Sequence, residues 1–272
     1  MLPFITILGR QFPTYAVLGL VAVFGAALVG GCRAGRYGFT RRDAFDIAAF
    51  AAIGLAVGGT LLYGIIQTPN IWRDRALILS NFPELAPHYF GGMIFYGGLF
   101  GAFGAVYFYS RLIKVSFADV AALAVPVFPL AHAIMRVGCF SAGCCYGIEH
   151  PPHLGVAFSA SIAAPNNVYL LPVQLYESAV NIIIFGVMWV FTSKDRNWTV
   201  IVCSYALMYS FARFWLEFIR GDAARGAVAF FSTSQLISVV VFTLCVCALA
   251  YKYGRTSKQP QAHIHKEGMK IE

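Results

Sequence analysis

Long apolar blocks alternate with short polar connections along the whole chain. Apolar runs of about twenty residues, too uniform for an amphipathic stripe, are the pattern of membrane-spanning helices. About seven such blocks are predicted, over 12–32, 44–67, 91–113, 118–140, 169–192, 199–219 and 230–251. The third is rich in glycine and the fourth carries Pro126 and Pro129, which membrane helices tolerate when neighbours satisfy the freed backbone. The fold expected is an all-α integral membrane protein with about seven transmembrane helices. Residues 1–253 form a single transmembrane domain and residues 254–272 a polar, disordered cytoplasmic tail.

Lys and Arg orient the blocks. One set of connections holds Arg33, Arg36, Arg41, Arg42, Arg111, Lys114, Lys194, Arg196, Lys252, Arg255, Lys258, Lys266 and Lys270. The opposite set holds Arg10, Arg73, Arg75, Arg220 and Arg225. The richer set reads as cytoplasmic, which puts the N-terminus outside and the C-terminus inside. The longer outer connections, 68–90 and 141–168, read as loops at the outer interface, where function concentrates. The early sequence, with Arg10 as its first basic residue and no small-residue cleavage site, is not expected to be a cleavable signal peptide.

Composition agrees. Hydrophobic residues make up 59% of the 272 and charged residues 12%, about half the share of a soluble domain. The net charge of +8 is spent on topology in the connections, so it does not imply nucleic-acid binding.

Arg136 and Arg213 fall inside apolar blocks, where a charge is costly and usually marks a site. Around the first the chain reads HAIMRVGCFSAGCCYG, and a helix places His132, Arg136 and Cys139 on one face. Gly138, Gly143 and Gly147 are expected to break that helix and let backbone approach a ligand. An arginine beside such a turn suits a phosphate, through paired guanidinium hydrogen bonds and backbone N–H groups. Around the second the chain reads YSFARFWLEFIRGD, with Tyr209, Arg213, Glu217 and Arg220 at helical spacing. Glu217 there holds one arginine and leaves net positive charge. Gln174, Glu177 and Asn181 form a third polar stripe, in which Glu177 either pairs with an intramembrane arginine or acts as a base. Gly97 and Gly101 give a small-xxx-small packing surface, next to the hydroxyl of Tyr96.

Cys32, Cys203, Cys245 and Cys247 read as small core residues. Cys139, Cys144 and Cys145 sit together near the outer face. A structural or redox-variable thiol cluster, a disulfide from Cys139, and a thiolate activated by Arg136 all fit them. Their spacing matches no usual zinc pattern, so neither a metal nor a cofactor is expected.

These motifs, in this order, resemble the prolipoprotein diacylglyceryl transferase family over nearly the whole chain. The resemblance runs from the Tyr15 region through GGTLLY, GGMIFYGGLFG, MRVGCFSAGCCYG, LPVQLYES and YSFARFWLEFIRGD to SQLIS. It implies a bacterial inner-membrane transferase with a site near the outer leaflet. Such an enzyme moves diacylglyceryl from phosphatidylglycerol to the lipobox cysteine of a preprolipoprotein signal peptide, forming a thioether and releasing glycerol phosphate. It makes Arg136 the phosphatidylglycerol-binding arginine and Arg213 the second essential one, with Tyr209 and Glu217 in its motif. Tyr15, Gly98 and Gly147 match site positions, and Gln174 and Glu177 lie in a shared motif. The chain departs from the family where Tyr96 replaces a histidine, Cys139 an asparagine, Cys144 a glutamate and Thr60 an arginine. His132, one turn before Arg136, then becomes the candidate to supply the missing imidazole. Two other readings stand beside this one: a divergent transferase with another acceptor, and a non-catalytic transporter or lipid-binding protein.

Overall fold

The computed structural model describes residues 2–193, 197–222, 227–228 and 231–256. Lys194, Arg196, Arg225, Lys258, Lys266 and Lys270, and the expected tail from 257 onward, lie outside the described residues. The chain is mostly helical and divides into two compact units, Val23–Ala124 and Met1–Ala22 with Val125–Glu272.

The unit over Val23–Ala124 is built on α2 (Arg41–Arg73) and α5 (Phe95–Leu112). Thr40 starts α2 with a capping box, its hydroxyl accepting from the Asp43 amide while Asp43 accepts from the Thr40 amide. Over 33 residues α2 extends about 50 Å, well beyond the ~30 Å hydrocarbon core. Helices α3 (Arg75–Ser80) and α4 (Phe82–Phe90) follow, so the connection expected as a loop over 68–90 is helical. Asp74 ties this arm together: Tyr89 donates to it at 2.8 Å and Arg73 at 3.2 Å. The Arg73 hydrogen bond, then that of Tyr89, holds the Asp74 carboxyl below its ordinary range.

The glycines of α5 work as a packing seam. A methyl on Gly54 or Gly58 of α2 would strike the carbonyl of Gly101 or Gly97, and a methyl on Gly101 would strike that of Gly54. Only bare backbones approach this closely. Tyr109 closes one end of the pair, donating to Asp43 at 3.2 Å and Asp46 at 3.4 Å. Helix α6 (Phe117–Ala124) completes the unit.

The other unit begins with a hairpin, β1 (Phe4–Ile7) against β2 (Arg10–Pro13), which the apolar pattern does not predict. Leu8 and Gly9 both take positive φ at its two-residue turn, as a type I′ turn requires. Helix α1 (Thr14–Gly31) follows directly. Next come α7 (Phe128–Ala142), α8 (Val173–Phe191), α9 (Trp198–Leu216) and α10 (Thr233–Thr256). Two further ribbons pair β3 (Val156–Ala157) with β4 (Tyr169–Leu170), and β5 (Ala227–Val228) with β6 (Phe231–Ser232). Helix α8 packs on both α7 and α9, and α9 on α10. Helix α10 runs to Thr256, past the start of the expected tail.

Five helices among the described residues are long and apolar enough to cross a membrane, and six if α6 and α7 form one span broken after Ala124. The remaining expected span, 91–113, is α5, whose glycines, tyrosines and Arg111 dilute its apolar character. The chain is a multi-pass membrane protein.

Candidate active site

Glu177 is the hub of a buried ion network. Its position on α8 is fixed by packing: the polar stripe Gln174, Glu177 and Asn181 is buried, with Glu177 0% exposed. A buried carboxylate is costly unless paired and hydrogen-bonded. Arg136 Nη2 on α7 donates to its Oε1 at 2.9 Å, and the Tyr209 hydroxyl on α9 donates to the same oxygen at 2.9 Å. His132 Nε2 stands 3.6 Å from that oxygen. The other oxygen, Oε2, faces Arg220 Nη1 at 3.8 Å. The stripe on α8 thus pairs with an intramembrane arginine, one of the two roles the sequence leaves open.

Arg136 is gripped along its length. Its Nε donates to His132 Nε2 at 3.3 Å and its Nη1 lies 4.0 Å from Cys139 Sγ, so the predicted face His132–Arg136–Cys139 forms. The helix under it does not break at Gly138. It continues to Ala142, and the bare Gly138 lets the backbone of Tyr15 pack against it, 3.2 Å from where a Cβ would stand. The break comes at Gly143, which ends α7 with φ 71°, a left-handed conformation that favours glycine.

The stripe on α9 splits. Glu217 begins a turn of 3₁₀-helix and Arg220 is extended, so the register predicted from α-helical spacing is lost after Leu216. Arg213 Nη2 meets Glu217 at 2.5 Å and donates to Ser234 of α10 at 3.2 Å. Its Nη1 is buried with no hydrogen-bond partner among the described residues. Arg220 turns to Asp222, with a two-pronged contact at 3.0 and 2.9 Å. Burial works against the charge on Arg220, but Asp222 outweighs it and holds the guanidinium above its ordinary range. Arg136, Arg213 and Arg220 thus face Glu177, Glu217 and Asp222, and their formal charges cancel. The surplus positive charge expected beside Glu217 is absent from this set, because Asp222 supplies a third carboxylate. Asp222 is the partner that sequence reasoning passed over; the IRGD run carries it, just past the helix end.

Gly147 closes the floor. Its amide donates to Leu171 O at 3.0 Å, and the Gly221 amide donates to Tyr146 O at 3.0 Å. A Cβ on Gly147 would lie 2.6 Å from Leu171 O, so the crossing of these strands requires glycine. Gln174 Nε2 donates to Cys144 O at 2.7 Å and fixes the cysteine turn from below. The site gathers Arg136, His132, Glu177, Tyr209, Gln174 and Gly147, with Arg213 and Glu217 as a second pair in the same unit. Tyr15 belongs to this unit as well and is 45% exposed. Tyr96 and Gly98 lie on α5 in the other unit, with Gly98 against Leu55 O.

A profile described as Prolipoprotein diacylglyceryl transferase matches residues 3–251. A protein of Clostridium tetani named phosphatidylglycerol–prolipoprotein diacylglyceryl transferase is 31% identical over 252 residues, 92% of this chain and 96% of the relative. The numbered second such transferase of Clostridium perfringens is 29% identical, over 86% of this chain and 89% of its own. The like-named protein of Nitratidesulfovibrio vulgaris is 30% identical, over 83% and 84%.

Proposed function

The chain belongs to the prolipoprotein diacylglyceryl transferase family and is a transferase; on that premise we propose that it transfers diacylglyceryl from phosphatidylglycerol to the lipobox cysteine of preprolipoproteins, the first step of bacterial lipoprotein maturation. One feature of the site carries the reading. Guanidinium groups converge where the family's motifs meet, and one of them, Arg213, keeps a buried donor without a partner among the described residues. A buried donor left so asks for an acceptor, and phosphate oxygens are strong acceptors. Since the six charges of the site cancel, phosphate recognition rests on directed hydrogen bonds rather than on surplus charge.

In the proposed reaction the lipobox thiolate attacks the glycerol carbon that bears the phosphate. A carbon–sulfur bond forms, the carbon–oxygen bond breaks, and glycerol phosphate leaves with the electron pair. Arg136 and Arg213 hold the phosphate and stabilise the charge developing on the leaving oxygen. They also fix the carbon for attack. The thiol proton passes to a base, for which His132 and Tyr96 are the candidates. His132 has the stronger support, since it lies beside Arg136: its Nε2 accepts from Arg136 Nε, and that lone pair is the one that takes the thiol proton once the arginine turns to the phosphate, with Nδ1 carrying the ring's own hydrogen. Glu177, Glu217, Tyr209 and Gln174 act as positioning residues, and Tyr15, Gly98 and Gly147 complete the substrate contacts. Lys and Arg asymmetry supports an inner-membrane orientation with the N-terminus outside, the C-terminus and the tail 254–272 cytoplasmic, and the site toward the outer leaflet. Seven spans in one membrane domain over 1–253 complete this reading, with α5 and the α6–α7 pair each crossing once.

Complementation tests it. A bacterial strain depleted of its resident transferase expresses this chain, and a palmitate-labelled lipoprotein is followed on a gel. Wild type restores the lipidated band, whereas Arg136→Ala and Arg213→Ala do not. A well-expressed, inserted wild type that leaves the precursor unmodified overturns the reading. It would favour a transferase with another acceptor, which the cysteines at 139 and 144 in place of asparagine and glutamate already suggest.

A further inference from the structure

The thiols of Cys139, Cys144 and Cys145 lie within 4.8 Å of one another, at the edge of the ion network. Spacing along the chain does not bring them together; the turn does. Gly143 and Cys145 both adopt left-handed backbone, at φ 71° and 59°. Such a conformation is uncommon for a residue with a side chain and persists only where its surroundings enforce it. Here Cys144 N donates to Cys139 O at 3.1 Å and buried Gln174 holds Cys144 O. Cys144 and Cys145 are thereby folded back over the end of α7, beside Cys139. All three cysteines are partly exposed as residues, and none is in a disulfide.

We propose that these three cysteines form a binding site for a thiophilic monovalent ion, copper(I), held by three thiolates. Metal–sulfur bonds of about 2.3 Å place three coordinating sulfurs about 4 Å apart, a contraction of under an ångström from the present arrangement. Soft thiolates select soft ions. Structural zinc takes four ligands, and no His, Asp, Glu or further Cys joins the three among the described residues. Three thiolates around copper(I) carry two negative charges. Arg136, 4.0 Å from Cys139 Sγ, and Arg220, which faces Cys145, offset them. A filled site would also engage Cys139 beside the arginine assigned here to the lipid phosphate; that consequence rests on the transferase reading, but the site itself does not.

The reduced full-length protein in detergent is titrated without oxygen against copper(I) held by a chromogenic chelator. The expected result is one copper withdrawn per chain, an ultraviolet sulfur-to-copper band, and an X-ray absorption shell of three sulfurs. Cys139→Ser, Cys144→Ser and Cys145→Ser each weaken retention at least tenfold, while Cys247→Ser, on α10 and outside the cluster, does not. Helical circular dichroism and a single detergent-complex peak establish that each variant is folded. Failure of folded wild type to take copper from the chelator, retention by Cys145→Ser equal to wild type, or a shell of nitrogen and oxygen overturns the proposal. The metal count does not depend on transfer activity. A chain inactive toward lipoprotein that holds one copper keeps the site, and an active chain that holds none loses it.

Discussion

Arg136 and Glu177 separate charge from geometry. Arg136→Lys keeps a cation for Glu177 but loses the paired, planar donors that suit a phosphate. Its expected outcome is near-wild-type folding with transfer reduced about 100-fold, the scale of one lost transition-state donor. In-membrane transfer to a labelled lipobox peptide reads it, and activity within threefold of wild type would sink the phosphate role. Glu177→Gln does the reverse. It leaves Arg136 buried without its counter-charge, at a cost of about 3–5 kcal/mol, measured as a fall in the unfolding midpoint in detergent. The pairing was legible in the sequence, because opposite charges in apolar spans have few other ways to be accommodated. The arrival of Arg220 was not. It depends on a switch from α to 3₁₀ geometry at Glu217 and on an extended residue after it, neither of which helical spacing encodes.

The helix pair α2–α5 makes its own predictions. Gly101→Val pushes a side chain into the Gly54 carbonyl and is expected to cost about 1–3 kcal/mol or to separate the helices. Gly104 meets nothing within 4 Å, so Gly104→Ala is expected to be neutral or to stabilise by up to about 1 kcal/mol through helix propensity. Thermal unfolding of the two variants side by side checks the seam; equal effects would show that close packing is not what Gly101 supplies. The α3–α4 arm has a pH signature. A carboxyl whose folded pKa is depressed contributes stability above the unfolded pKa and loses it as pH falls through the folded one. The arm over 74–90 is therefore expected to exchange amide hydrogens faster in acid, below the ordinary carboxylate range, and Tyr89→Phe moves that loosening to higher pH. Apolar blocks of helical length announced most of the helices. They could not announce ribbons with strands of two residues, or an arm over 68–90 whose prolines at 69, 83 and 87 resemble loop punctuation yet sit within helices.

At the scale of the whole chain, parity decides topology. An odd number of crossings puts the termini on opposite sides, as the Lys and Arg bias requires, whereas six crossings put them on the same side. A C-terminal fluorescent reporter is expected to glow, since it folds only in the cytoplasm, while an epitope before β1 is reached by antibody from outside. Finding both ends on one face would remove α5, or the α6–α7 pair, from the list of crossings. The hub at Glu177 also bears on how the chain enters the bilayer. Arg136 and Glu177 occupy α7 and α8, consecutive in the chain and packed together. Each alone would be penalised during insertion, with about 2.5–3.5 kcal/mol as the upper bound set by a charge at the helix centre. Released from the ribosome one after the other, they can leave the translocon as a neutral hairpin before α9 and α10 have been synthesised. The order of the helices in the gene is then part of the site's chemistry, and a permuted chain that separates α7 from α8 is expected to stall at insertion although every contact of the finished fold remains available.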